Sequence, residues 1–405
     1  MIIWIILSLL AAGYMAFVLG GNDAANAMAT SVGSKAIDYK KAVIIAAVAN
    51  LIGALLVGGH VTETIGKGIV KIELFMNEKK IFILGMFLAL ISAGIWVQIA
   101  TSLGMPISTT HSIVGAVIGF GIFAGGFSCI NWLKFLKIVL SWIISPILGG
   151  IVSFIIFNII RKFIFETKNL ILSTKRIGPF LSSFVFFIIT LSVIYKGLKI
   201  KVPLFQSIII SLSFSFLGYI ITWSFLRGEE RVNGYSQVEK LFGILQILTA
   251  TYMGFSHGAN DVANAIGPAC SIYSVIKSGN VKEFLIPMWI LFFGSFSLAL
   301  GTALFGYKVM KTLGEEVTEI TPTRGFSAEF GCATTVLIFS KLGLPISTTH
   351  TIVGAVIGVG IARGISSLNL NVIKNIILSW ISTVPFSAVL TGITFTILKF
   401  ILLPL

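Results

Sequence analysis

Acidic side chains are scarce in this chain: 15 Asp and Glu stand against 29 Lys and Arg, and charge of either sign occupies only 11% of 405 positions. That is too little to cover a water-soluble globule of this length, and the 56% of hydrophobic residues places the chain in a bilayer. Cysteine and histidine are sparse as well. Cys129, Cys270 and Cys332 lie in apolar runs without metal-ligand spacing, which predicts packed thiols, and no metal cluster is spelled out by the four histidines.

What the chain has instead is long stretches free of Asp, Glu, Lys and Arg, at 81–103, 106–133, 138–160, 177–195, 202–226, 284–307, 342–362 and 375–398. Each is long enough to cross about 30 Å of hydrocarbon as a helix, and these lengths exclude a barrel. Residues 2–19 are apolar too, lack the basic start of a secretory signal, and are read as a retained first helix. The net charge of +14 comes from basic residues between spans, at 35–41, 67–80, 161–176 and 196–201, so it reads as membrane-flanking charge and not as a nucleic-acid surface.

The stretch PISTTHSIVGAVIGFG at 106–121 recurs as PISTTHTIVGAVIGVG at 345–360 with fourteen of sixteen positions identical. GGNDAANA at 20–27 likewise recurs as GANDVANA at 258–265, six of eight positions, at nearly the same offset. Two motifs in fixed order define a duplication. The halves are 1–160 and 240–405, and 161–239 links them with two additional spans. Five crossings in the first half, at 2–33, 42–59, 81–103, 106–133 and 138–160, make an odd number, which inverts the second copy. The fold expected is an all-α polytopic membrane protein of two inverted-topology repeats with broken or re-entrant helices, about 10–12 transmembrane segments in all.

Gly-x-Pro before each Ser-Thr-Thr ends one helix and places proline at the first position of the next. Free N–H groups, the positive end of the helix dipole and three hydroxyls then converge, a site suited to a tetrahedral oxyanion. The candidates are Ser108, Thr109 and Thr110 in one copy and Ser347, Thr348 and Thr349 in the other, with Gln98 in reach of the same cavity. Capping of the helix is the competing use of these hydroxyls. Asp23 and Asn26, like Asp261 and Asn264, stand three residues apart on one helix face, with Asn22 and Asn260 beside them and no Lys or Arg in either motif. A carboxylate inside a membrane needs positive charge from somewhere. Carboxylate and amide oxygens, flanked by glycines that let carbonyls approach, are hard ligands for Na⁺, or else the carboxyl carries a proton. Glu329 joins these as a ligand, with a pairing to Arg324 as its alternative. His111 and His350 are read as structural supports, and His60 and His257 have no counterparts in the opposite half.

The duplicated motifs, together with TPTRGFSAEF at 321–330, resemble the inorganic phosphate transporter family of sodium- or proton-coupled symporters. The resemblance covers both halves. It implies two inverted repeats around one buried site, helical hairpins tipped by the Ser-Thr-Thr motifs holding phosphate, and coupling cations on the Asp and Asn residues. It also implies a non-enzymatic protein of the plasma membrane that forms a homodimer. Na⁺ is the expected coupling ion, with H⁺ as the alternative. A sulfate or other oxyanion permease is the rival within transport, while a passive channel and an intramembrane hydrolase using Ser108 or Ser347 are rivals outside it.

Overall fold

In the bilayer every backbone N–H and C=O must find a partner within the chain, which leaves a long apolar sequence little choice but helix. The computed structural model describes residues 2–103, 107–195, 202–227, 234–306, 320–364 and 370–402. Among these are thirteen α-helices: α1 Ile2–Gly33, α2 Tyr39–Val57, α3 Gly59–Lys67, α4 Lys79–Ser102, α5 Thr109–Gly125, α6 Trp132–Ile160, α7 Leu170–Ile194, α8 Leu204–Arg227, α9 Tyr235–Ser278, α10 Met288–Phe305, α11 Pro322–Lys341, α12 Thr348–Arg363 and α13 Leu370–Leu402. Local signals set several ends. Asp38, Asn131 and Asn169 accept a backbone N–H at the starts of α2, α6 and α7, and Gly279 stops α9 with φ 67°. Pro322 opens α11, where the Glu239 carboxylate of α9 accepts from Thr323 N at 2.8 Å and from the hydroxyls of Thr321 and Thr323 at 2.9 and 2.8 Å. That contact accounts for the polar start of TPTRGFSAEF.

Among the described residues, eight helices are long and apolar enough to span a membrane. The charge-free run 106–133 is not a single crossing, as the sequence count had it. Gly126, at φ 76°, ends α5 after 17 residues, and α6 begins at Trp132. A helix of that length reaches about 25 Å, short of the hydrocarbon thickness. Its partner α12 has 16 residues. α9, by contrast, runs for 44 residues, about 66 Å, with Pro268 inside it. Pro345 lies two positions before the cap Ser347 and is not the first helical residue, while Pro106 lies outside the described residues.

The two halves exchange partners. α1 packs along α10 and α9 along α2; α5 packs along α13 and α12 along α6. Glycines permit this. A Cβ on Gly20 would stand 2.0 Å from Leu298 O, and one on Gly301 1.8 Å from Phe17 O. The other pair repeats the arrangement: a Cβ on Gly258 would lie 2.1 Å from Asn50 O and one on Gly53 1.9 Å from Phe255 O. The leading glycine of each Asn-Asp motif therefore admits a backbone carbonyl of the neighbouring helix, Leu298 O or Asn50 O. α7 packs on α9, and α8 on α7, to one side of the duplicated helices.

α1 and α9, which carry the two copies of the same motif, run antiparallel. Asp23 lies beside His257, Thr30 and Ser31 share Glu329 with Thr249 and Gln246, and Ser34 bonds Gln246. Advancing along one helix thus means retreating along the other. Two apolar cores flank the crossing: one holds Leu19 of α1 and Val262 of α9, the other Ala27 and Ala259. The polar motifs occupy the seam between them. Gly301→Ala is expected to force α1 and α10 apart and destabilise the fold by about 1–3 kcal/mol, read as a lower melting temperature of the purified protein. An unchanged melt would show that the close approach carries no packing energy.

Candidate functional site

Ser108 and Ser347 sit at the N-caps of α5 and α12, each accepting a backbone N–H three residues on, from His111 at 3.1 Å and His350 at 3.2 Å. The serine oxygens thus take the capping role. The threonines behind them, in the first turn, turn to the Asn-Asp motifs. Thr109 Oγ1 donates to Asp23 Oδ2 at 2.7 Å, and Thr110 Oγ1 lies 3.3 Å from Asp261 Oδ1. Asn26 Nδ2 reaches across halves to Thr349 Oγ1 at 2.8 Å and Thr348 Oγ1 at 3.4 Å, and Asn264 Nδ2 reaches Thr110 Oγ1 at 3.1 Å. Within each motif the asparagine also donates to its own aspartate, Asn26 to Asp23 Oδ1 and Asn264 to Asp261 Oδ1, both at 3.0 Å.

The two hairpin tips also interlock through backbone. Thr110 Oγ1 donates to Ile346 O at 3.0 Å, and Thr349 Oγ1 to Ile107 O at 3.3 Å. Asn260 Nδ2 shares Ile346 O at 2.9 Å, and Asn22 Nδ2 donates to Thr101 Oγ1 at 2.9 Å. All twelve residues of the two Ser-Thr-Thr and two Asn-Asp-Asn sets are buried. Two helix N-termini, with first-turn N–H groups that have no partner inside the helix, therefore point into one buried, polar centre.

Three further residues fall differently. Gln98 is exposed and accepts from the Tyr14 hydroxyl, at a cavity of about 150 Å³ lined also by Phe17, Val18, Thr101, Ser102 and Phe305. It is not among the residues brought together at the hairpin tips, but it stands three residues before Thr101, the partner of Asn22. Glu329 is fully buried and takes four neutral donors in place of an arginine: Thr30 and Ser31 hydroxyls at 2.5 Å, Thr249 at 2.6 Å and Gln246 Nε2 at 3.1 Å. It therefore ties α11 to both α1 and α9. The rings of His111 and His350 lie edge to face with centroids 4.3 Å apart, His111 tilted against Trp142 and His350 stacked on Trp380. His111 Nδ1 lies 3.4 Å from Trp380 O and its Nε2 has no hydrogen-bond partner, so neither ring nitrogen bonds a serine hydroxyl.

Sequence reasoning missed His257 and Asn50. His257 Nε2 lies 3.6 Å from Asp23 Oδ2 and 3.3 Å from Asp261 Oδ2, and its Nδ1 is 2.8 Å from Asn50 Oδ1. The available signal was a mismatch inside the duplication: Leu19 holds the equivalent place in the first half. Asn50, a lone amide in the apolar run of α2, carried none beyond its polarity.

A family model described as the phosphate transporter family matches residues 19–391. A Pyrococcus horikoshii protein provisionally named as a phosphate permease is 43% identical over 400 residues, 98% of each chain. The inorganic phosphate transporter 2-1, chloroplastic, of Arabidopsis thaliana is 39% identical over 426 residues, 96% of this chain and 72% of that one. A solved structure described as the sodium-dependent phosphate transporter is similar with a TM-score of 0.95 and 44% identity, covering 98% of this chain and 100% of that one.

Glu329→Gln sets an amide N–H₂ against some of the hydroxyl donors that surround the carboxylate. It is expected to cost about 1–3 kcal/mol of stability, seen as a lower melting temperature. A melt equal to wild type would mean that the four bonds hold a neutral carboxyl as well as a charged one.

Proposed function

The chain belongs to the phosphate transporter family, and from that membership we propose that it imports inorganic phosphate across the plasma membrane by symport with Na⁺. The observation that carries the reading is the meeting of the two hairpin tips at Asp23 and Asp261, with Asn26 bonded to Thr349 and Asn264 to Thr110 across the halves. One oxyanion held between Ser108, Thr109 and Thr110 and Ser347, Thr348 and Thr349 would receive hydroxyls and N-terminal N–H groups from both sides. Gln98 lines the approach through Thr101. The organisation is two repeats, 1–160 and 240–405, around a linker at 161–239, and the antiparallel crossing of α1 and α9 supports their inversion. Inverted repeats meeting at a buried site supply alternating access by rocking one half against the other. The working unit is a homodimer.

Charge requires the cation. Two aspartates and a phosphate of one or two negative charges would bring three or four negatives into one low-dielectric centre, which is untenable without company. Asn22, Asp23 and Asn26 hold one Na⁺ and Asn260, Asp261 and Asn264 another, with Glu329 as a further ligand along the path. Each bound ion improves the field for the other, and the linkage is reciprocal, so the sodium gradient drives phosphate uptake. Na⁺ and phosphate are cargo here, and the chain's own part is to orient oxygens, exclude water and change access.

Two outcomes test this. Thr to Ala in either copy of Ser-Thr-Thr is expected to weaken phosphate binding by about 1–3 kcal/mol for each donor removed, at a stoichiometry of one phosphate per chain. Intact binding at full stoichiometry after changing one copy would rule out a shared site. Asp23→Asn or Asp261→Asn keeps the shape but removes the charge that attracts the cation, so phosphate affinity should lose much of its dependence on sodium while the fold survives. In proteoliposomes, wild-type uptake that does not respond to Na⁺ at fixed pH, and follows a pH step at fixed Na⁺ instead, would assign the coupling to protons.

A further inference from the structure

Ile147, Phe154 and Arg161 follow one another at seven-residue spacing, close to two helical turns, so they share one face of α6 and its C-cap. The apolar part of that face, with Ile151, is one wall of a groove of about 510 Å³. Gly358 and Ile361 of α12 belong to the other wall, and Trp380 of α13 also lines the groove. Trp380 marks the inner end, because its ring stacks on His350, in the first turn of α12, with centroids 3.6 Å apart. A Cβ on Gly358 would stand 2.1 Å from Gly150 O. The two helices therefore touch backbone to backbone there, and no side chain at the contact fills the space above it. The groove lies where a helix of the first half meets two of the second.

Among the described residues, no charged, hydroxyl or amide side chain lines the groove. Water would find no partner in it, and a void would forfeit the dispersion contacts of its walls. Its exposed members, Ile147, Ile151, Phe154 and Ile361, face the hydrocarbon. The lining of α12 runs from Val353 to Ile361, a rise of about 12 Å, close to the roughly 15 Å that one leaflet contributes to the hydrocarbon. One acyl chain matches that length.

Polarity begins just past the groove. Asn158 Nδ2 donates to Phe154 O at 2.9 Å, and Arg161 Nη1 donates to Ala362 O at 3.1 Å, which holds the guanidinium beside the residue that follows Ile361. Lys162 and Arg363 are exposed next to these. Against the three bases stands Glu166, whose Oε1 lies 3.7 Å from Arg161 Nε. The mouth of an apolar groove is thus cationic, at the depth where a lipid phosphate sits.

We propose that this groove binds one anionic phospholipid, with an acyl chain lying between α6 and α12 as far as Trp380 and the headgroup phosphate held by Arg161 and Arg363. The tail then packs against the ring that supports His350, behind a hairpin tip, and so joins the two halves at their lipid-facing edge. The site does not depend on which ion or anion is transported.

Trp380 is itself the reporter. Full-length protein in detergent is mixed with phosphatidylglycerol or phosphatidylcholine carrying brominated acyl chains, which quench tryptophan fluorescence on contact, and Trp380→Phe isolates the Trp380 contribution. That contribution is expected to be quenched at about 5–30-fold lower concentration of phosphatidylglycerol than of phosphatidylcholine. Arg161→Gln with Arg363→Gln should bring the two lipids level, while Lys79→Gln with Lys80→Gln, exposed bases at the start of α4, should leave the preference intact. A retained melting transition establishes that each variant is folded. If the double arginine variant does not fold, Arg363→Gln alone, on an exposed side chain, should still narrow the preference. Equal quenching by both lipids in wild type overturns the site, as does a preference that survives loss of the arginines or disappears in the α4 variant. Quenching by neither lipid, in a protein that elutes as a dimer, would give the groove to a second copy of the chain and overturn the proposal too.

Discussion

Two fully buried carboxylates in the interior of a membrane protein set the terms for everything around them. An ionised carboxyl there costs several kcal/mol unless it is paired and hydrogen-bonded, and the two Asn-Asp motifs contain no Lys or Arg to do the pairing. The chain brings in neutral donors: asparagine amides one turn along, threonine hydroxyls from the facing hairpins, and the positive ends of α5 and α12. Those helix ends are delivered deep into the protein because α5 and α12 are too short to cross and start at the centre. Hairpin tips, motif helices and carboxylates are thus one electrostatic unit built from both halves.

Holding that unit together demands close backbone approach. Apolar packing alone does not favour one helix contact over another in lipid, so small residues decide which helices meet. Gly20 and Gly258 sit at the same place in the two motifs, and each lies against a carbonyl of the helix contributed by the opposite half, Leu298 and Asn50. The same glycines that begin the motif therefore fix where Asp23 and Asp261 stand, three residues later. Gly354 repeats the device on α12, where a Cβ would lie 2.2 Å from Pro146 O.

The duplication, the membrane class and the chemistry of the hairpin tips were legible because they are local: repeated hydroxyls, amides and carboxylates in an apolar background mark themselves. Their mutual contacts across the halves followed from the repeat. Gln98 looked equivalent to the buried polar residues by spacing alone, yet its helix face leads outward to Tyr14, and one-dimensional distance cannot assign a face in a helix that is apolar all round. Glu329 was read as a ligand or an arginine partner, because the four donors that meet it come from two segments, on α1 and α9, far from it in sequence. His257 showed only as a mismatch with Leu19, for a related reason. Its meaning lies in Asn50 and Asp23, more than two hundred residues away, and nothing in its own motif hints at them.

Two departures from symmetry fall in the second half. Where the first copy has Leu19 the second has His257, and where α4 has Leu90 in its apolar core, α11 has Glu329. Neither is neutral: each places a titratable group beside residues of α1, so the same first-half helix is read by two second-half groups at different depths, His257 at Asp23 and Glu329 at Thr30 and Ser31. Toward the N-terminus of α1 the cavity lined by Tyr14, Phe17 and Val18 opens. A duplicated scaffold with identical tips would make the two faces of the centre energetically alike. One histidine and one glutamate give the second half bonds to α1 that Leu19 and Leu90, at the equivalent places in the first half, cannot make.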